Sequence, residues 1–141
     1  MRVEVTETID RPVSMVFNFY AHQHVRNHPR WDPMMELEQV SEGPIGVGTI
    51  IRRRNTHFGD PIDGTMEVVE FEEDQAFGVV IHDGPTETIG RMACEAIGPE
   101  RTRITISADM PWLDETADSS RLQIMIQGTA TNIKALIEAE T

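Results

Sequence analysis

The chain predicts a single α+β domain in which a curved antiparallel sheet of seven strands wraps around a long C-terminal helix. Three observations carry that expectation. Six successive strand-like segments follow residue 34, a further one opens the chain, and a helical stripe runs to its end. The 141 residues are the length of one ordinary domain, and 39% hydrophobic with 26% charged residues is a globular composition. No linker, repeat or low-complexity tract divides them, so residues 1–141 read as one domain.

At the N-terminus Val3, Val5 and Ile9 alternate with Arg2, Glu4, Thr6 and Thr8, the period of a half-buried strand. Asp10 then caps a helix whose first turn tolerates Pro12, and Val13, Val16, Phe17 and Tyr20 recur along one face. A second brief helix follows. Pro29 predicts its end near His28, because the residue before a proline is pushed out of helical geometry. Strands are expected over 34–41, 48–57, 63–72, 76–82, 86–97 and 102–110, separated by the turn signals EGPIGVG, FGDP, EEDQ, HDGP and GPER.

Residues 117–139 plotted at 100° per residue place Leu122, Met125, Ile126, Thr129, Ala130, Ile133, Leu136 and Ile137 on one face, a helix of roughly 35 Å. Gly128 inside it implies close approach to a strand, room for a ligand, or mere tolerance. Ile124 lies off the buried face and is a candidate contact for a homodimer.

Twenty-four acidic against twelve basic residues leave a net charge of -12, which repels nucleic acid and anionic membrane surfaces. Cys94 is the only cysteine, so an intrachain disulfide and a thiolate zinc site are excluded, and a reducing, cytoplasmic setting is expected. No apolar run approaches the roughly 20 residues of a membrane span, so membrane insertion is not expected.

Strand alternation sends Arg52 and Arg54 to one face and Arg53 to the other. Burying one charge costs less than burying two, so Ile51, Arg53 and Asn55 are expected inside. With the FGDP turn centred on Asp60, Arg53 would face Glu67 and Ile51 would face Val69, which puts Val69 and Phe71 inside as well. Phe77, Val79 and Ile81, then Met92 and Cys94, then Ile104, Ile106 and Ala108 are the apolar halves of the later strands. Together with Phe17, Trp31 and the helical Met125, Thr129 and Ile133, these residues form the expected wall of a ligand site. Arg53 and Glu67 are its polar handle. They read either as a structural ion pair or as a catalytic pair, Arg53 holding a carboxylate, phenolate or enolate oxygen while Glu67 orients it or moves a proton.

His22, His24 and His28 crowd the segment YAHQHVRNHPRWDP, and His24 with His28 has the i, i+4 spacing of a zinc chelate. No third ligand is identifiable, so no metal and no cofactor are expected. These histidines, like His57 and His82, read as mostly solvated, with Trp31 as the side chain that touches the cavity and Asp32–Pro33 as its turn.

The order of elements, the TIDRPVSMVFNFYAHQHVRNHPRWDP opening, the SEGPIGVGTIIRR turn and the VVEFEEDQAFGV passage resemble the polyketide cyclase/dehydratase-like branch of the START/Bet v-like (SRPBCC) superfamily, over residues 2–139. The resemblance implies a helix-grip fold with a largely apolar cavity between sheet and terminal helix, and no universal catalytic motif. The expected activity is binding of a small hydrophobic molecule of lipid, polyketide or aromatic type. An enzyme that cyclises or dehydrates a poly-keto chain with Arg53 and Glu67, and an interaction module acting through the outer sheet face, are the alternatives.

Overall fold

In the computed structural model, residues 1–57, 59–116 and 119–140 are described. Strand β1 (Arg2–Ile9) is followed by helix α1 (Val13–Phe17), a π-helical turn (Asn18–His22) and helix α2 (His24–Trp31). Six strands come next: β2 (Met35–Gln39), β3 (Ile50–Asn55), β4 (Ile62–Glu72), β5 (Ala76–Asp83), β6 (Thr86–Gly98) and β7 (Arg101–Asp109). Helix α3 (Ser120–Ala139) ends the chain; the expected start at residue 117 lies outside the described residues. The sheet order is β1-β7-β6-β5-β4-β3-β2, every neighbour antiparallel. The meander is thus closed by β1 beside β7, and this is the curved seven-stranded sheet the sequence predicts.

Helix α3 buries Ile126, Ala130, Ile133 and Ile137 against the sheet. It also makes polar contacts: Lys134 Nζ donates to the Thr8 carbonyl at 2.6 Å, the Asp10 backbone N–H donates to Glu138 Oε2 at 2.9 Å, and Asn132 Nδ2 donates to the Trp31 carbonyl at 3.3 Å. The helix is therefore fixed to β1 and to the end of α2. Met125, expected on the buried face, is 51% exposed, because Ile126 and Thr129 occupy the sheet side of that turn. Gly128 faces open space, with nothing within 4 Å of the Cβ it lacks, so neither strand approach nor ligand room explains it.

Pro29 does not end α2 near His28. It sits inside the helix, which continues to Trp31 and closes with the Asp32 N–H on the His28 carbonyl at 3.0 Å. In so short a helix, passing through Pro29 forfeits only one backbone bond.

The β3–β4 register is displaced by three residues from the expected one. Arg53 faces Gly64, Ile51 faces Met66, and Glu67 faces Ile50. An odd displacement inverts the parity of β4, so Met66 and Val68 are buried while Glu67 is exposed and Val69 is 44% exposed. A bulge between Val68 and Glu70 then restores the expected parity, and Phe71 packs inward on Phe17 and Phe77. On β3 the alternation holds: Ile51, Arg53 and Asn55 are buried. Arg52 and Arg54 pair outside with Glu38 and Asp63.

Gly64 lies between Arg53 on β3 and Asp83 on β5. A Cβ there would overlap both the His82 carbonyl oxygen and the Asp83 carboxylate. Replacement Gly64→Ala is therefore expected to destabilise the fold by about 2 kcal/mol or more. Gly128→Ala, in an exposed helix interior, should stabilise by up to about 1 kcal/mol. Urea denaturation of both variants beside the wild type measures the two opposite signs.

Candidate functional site

The interior face of the sheet carries a large row and a small one. Phe71, Phe77, Met92, Ile106 and Val5 lie side by side across β4, β5, β6, β7 and β1. In the adjacent row Val68 and Val79 are followed by Gly90 and Ala108, then Val3. A cavity of about 150 Å³ opens over the small row. Met66, Phe77, Val79, Ile81, Gly90, Ile106 and Ala108 wall it from the sheet, Ile126 and Thr129 from α3, and Tyr20, His24 and His28 from the helices that follow β1.

The break between α1 and α2 gives this cavity its polar end. Helix ends leave backbone carbonyls without helical partners, and buried side chains take up two of them here. Asn27 Nδ2 donates to the Phe19 carbonyl at 2.9 Å, and His24 Nδ1 donates to the Tyr20 carbonyl at 2.8 Å. His28 Nδ1 lies 2.9 Å from His24 Nε2. Burial lowers the His24 pKa to about 4, with the Tyr20 carbonyl opposing and the Arg53 charge reinforcing the shift. Burial also holds His28 well below the usual imidazole range, helped by His24, Arg53 and His57. Both rings are thus neutral at pH 7, and burial likewise keeps the Tyr20 phenol protonated by raising its pKa.

These rings are packed edge and face. Trp31 stacks on Tyr20 at 5.1 Å and on His28 at 5.0 Å, and His24 stacks on Phe77 at 4.9 Å. Trp31 is buried behind Tyr20 and His28 and does not line the cavity, whereas His24 and His28 do. For His24, His28 and Trp31 the expectation of solvated histidines with the tryptophan at the cavity is therefore reversed. A signal for this exists in the sequence, because Tyr20, His24 and His28 form an i, i+4, i+8 stripe on the face that carries Phe17 and Trp31. His22 is exposed and pairs with Glu73 at 2.8 Å. His82 is likewise at the surface, and His57 pairs with Asp32 at 2.8 Å.

Arg53 belongs to a different cluster. It is 8% exposed, its Nε is 3.1 Å from Asp83 Oδ1, and it is absent from the cavity wall. Asn55 Nδ2 donates to the other Asp83 oxygen at 3.0 Å. The expected Arg53–Glu67 pair does not form, since the β4 register carries Glu67 to the outer face and brings Gly64, and beyond it Asp83, to Arg53. Of the other expected site residues, Phe77, Val79, Ile81, Ile106 and Thr129 line the cavity. Phe17, Ile51, Met92 and Ile133 are core around it, and Phe71 is half-buried against them, while Val69 and Met125 are exposed. Ala108, expected among the apolar halves of the strands, lines the cavity too, whereas Met66, Tyr20, His24, His28, Gly90, Arg91 and Ser107 are cavity residues absent from the wall that the sequence predicts. Among the described residues, no group of three or more His, Cys, Asp or Glu is placed to hold a metal ion. Burial pushes the Cys94 thiol up to about 11, so it stays protonated.

Residues 1–138 match the family described as polyketide cyclase / dehydrase and lipid transport. The chain belongs to this family. No curated protein sequence matches it. Among solved structures it is similar to a START superfamily protein from Mycobacterium smegmatis, at 12% identity and a TM-score of 0.78 over 99% of each chain. It is also similar to Ara h 8.0201, at 15% identity and a TM-score of 0.75 over 99% of each chain. The Zhui aromatase/cyclase from Streptomyces sp. R1128 is similar at 14% identity and a TM-score of 0.73, over 98% of this chain and 93% of that one. These likenesses establish the helix-grip fold of the START/Bet v-like superfamily for this member of the family.

The neutral histidines make a pH test of the polar end. The unfolded His24 ring takes up its proton near pH 6.5 and the folded ring only near pH 4, so the unfolded state binds more protons between these values. Stability is therefore complete above about pH 6.5 and falls as the pH drops toward 4. Between pH 7 and pH 5 the wild type is expected to lose about 2 kcal/mol on account of His24. His24→Gln, which removes the titrating ring, should flatten that loss in urea denaturation at the two pH values.

Proposed function

We propose that this protein binds a small hydrophobic molecule in the cavity between the sheet and α3, and that the ligand is of single-ring size. The observation that carries this reading is the small row, Gly90 and Ala108 beside Val79, which leaves an apolar space of about 150 Å³ under Ile126 and Thr129. An apolar void of roughly 150 Å³ suffices for a benzene-sized molecule. The family match supports it, since hydrophobic small molecules suit both the cyclase and the lipid-transport halves of the family description. The similar Streptomyces protein is an aromatase/cyclase. Here the volume favours one ring over a folded poly-keto chain, which would need side chains such as the exposed Met125 and the half-buried Thr129 to move aside. Chemistry by an Arg53–Glu67 pair is not part of this reading, because Glu67 is on the outer face of β4.

Ala108→Leu places an isobutyl group into the cavity from β7. Toluene titrated into the wild type and followed by NMR should saturate a single site lined by Ile81, Ile106 and Ile126. In Ala108→Leu the affinity should fall by about tenfold or more, with folding retained or improved. Equal toluene affinity in the two proteins contradicts the reading.

A further inference from the structure

We infer that the ligand is a neutral hydrogen-bond donor of phenol type, and that it donates its hydroxyl proton to Nε2 of His28. This inference rests on the cavity reading above and adds the chemistry of its occupant. It follows from counting protons along one chain of hydrogen bonds. The Tyr20 carbonyl can only accept, so the 2.8 Å contact requires that His24 Nδ1 carry the proton of that ring. A neutral imidazole has one N–H, so His24 Nε2 is left as a lone pair. The 2.9 Å contact between His24 Nε2 and His28 Nδ1 then requires the proton of His28 on Nδ1. His28 Nε2 must therefore be a lone pair, and it has no hydrogen-bond partner among the described residues. One backbone carbonyl at a helix break thus decides the polarity presented by a ring two hydrogen bonds away.

His28 lines the cavity together with Tyr20 and His24, beside apolar walls formed by Phe77 and Ile106. An acceptor in such surroundings selects a ligand that brings a donor. A carboxylate or a carbonyl compound brings only lone pairs, which could accept from the protonated Tyr20 hydroxyl but would leave the Nε2 lone pair unmet. The buried cation Arg53 is held at 3.1 Å from Asp83 and is not part of the wall, and Arg91, which does border the cavity, is engaged by Glu70 at 2.7 Å. A phenol satisfies both constraints: its ring fits a space of about 150 Å³ among aromatic and aliphatic side chains, and its hydroxyl completes the chain phenol O–H to His28, His28 to His24, His24 to Tyr20. Burial and the neighbouring Arg53 charge keep His28 a weak base, so it accepts the hydrogen bond without removing the proton.

Phenol and toluene, nearly equal in shape, separate this inference from the reading beneath it. Both are titrated into the full chain at pH 7, with binding and the imidazole ¹⁵N resonances followed by NMR. Phenol is expected to bind at least as tightly as toluene, despite the water its hydroxyl surrenders, and to shift the His28 Nε2 resonance while toluene leaves it in place. In His28→Phe, which keeps a ring stacked on Trp31, the ratio of phenol to toluene affinity should fall about tenfold, since an unmet buried hydroxyl is penalised by that order. Toluene binding with phenol excluded, phenol bound with the His28 Nε2 resonance unmoved, or an unchanged ratio in His28→Phe overturns the inference and leaves the cavity reading standing. Binding of neither probe to the wild type overturns both. The wild-type resonance measurement decides the matter even if His28→Phe fails to fold.

Discussion

The carbonyl oxygen of Tyr20 sits at a helix break, where no backbone N–H of the next turn completes it, and the Nδ1 proton of a buried histidine does so instead. Much of the interior depends on that bond. It holds the His24 ring against Phe77, which fixes the second imidazole by the His24–His28 contact, and His28 in turn lies on Trp31, which stacks on Tyr20 itself. The four rings therefore close a loop in which each is oriented by the next. Aromatic pairs of this kind are each worth about 0.5–1.5 kcal/mol beyond burial. Their geometric consequence matters more, because Tyr20, His24 and His28 hold fixed positions against the cavity. The wide π turn between α1 and α2 is where the chain accommodates the break.

Arg53 shows how a charge and a pair of neutral rings share one interior. A buried guanidinium needs an opposite charge nearby, and Asp83 supplies it from two strands away across Gly64. Burial still pulls the guanidinium below its usual pKa, with Asp83 and Asp32 opposing that effect. The uncompensated part of its field reaches His24 and His28 and disfavours a second positive charge there. Arg53 thus acts on the cavity at a distance, by adding to the burial that keeps the histidines neutral, while taking no place in the wall. Gly64 is the residue that permits this, since any side chain on β4 at that point would stand between Arg53 and its partner.

The pattern of strands and helices is legible in the sequence because it rests on local periodicity. Alternation on β3 places Arg53 inside and Arg52 and Arg54 outside without reference to any other strand. The partner of Arg53 is not legible, because it depends on where the β3–β4 turn closes, and a register displaced by three residues exchanges Glu67 for Gly64. Val69 is lost for the same reason, and Phe71 survives only because a bulge in β4 reverses the parity again. Nothing in the run of valines at 68 and 69 marks that bulge. The histidines fail differently. Their spacing is visible and reads as a potential chelate with a helix stop at Pro29, although the same i, i+4 spacing also continues the buried stripe from Tyr20 to Trp31. Only the orphaned carbonyl at residue 20, a feature of the backbone, distinguishes a buried hydrogen-bonded chain from a solvated pair.

The small row across the sheet leaves room for an occupant. The cavity is partly open to solvent, so leaving it unfilled costs less than the roughly 3–4 kcal/mol that a closed apolar void of about 150 Å³ would cost. The void is not forced by the fold, since Gly90 and Ala108 are positions on continuous strands, and a Cβ at Gly90 would meet Val79 Cγ2 at 3.4 Å, an ordinary contact. Larger side chains in that row would close the space and strengthen the core. The chain instead combines its smallest interior residues with the one stretch of helix that presents an unused imidazole lone pair. On the proposed reading a bound ring would fill this space against Val79, Ile81 and Ile106, and a hydroxyl on it would meet the His28 acceptor, so shape and polarity converge on the same kind of molecule.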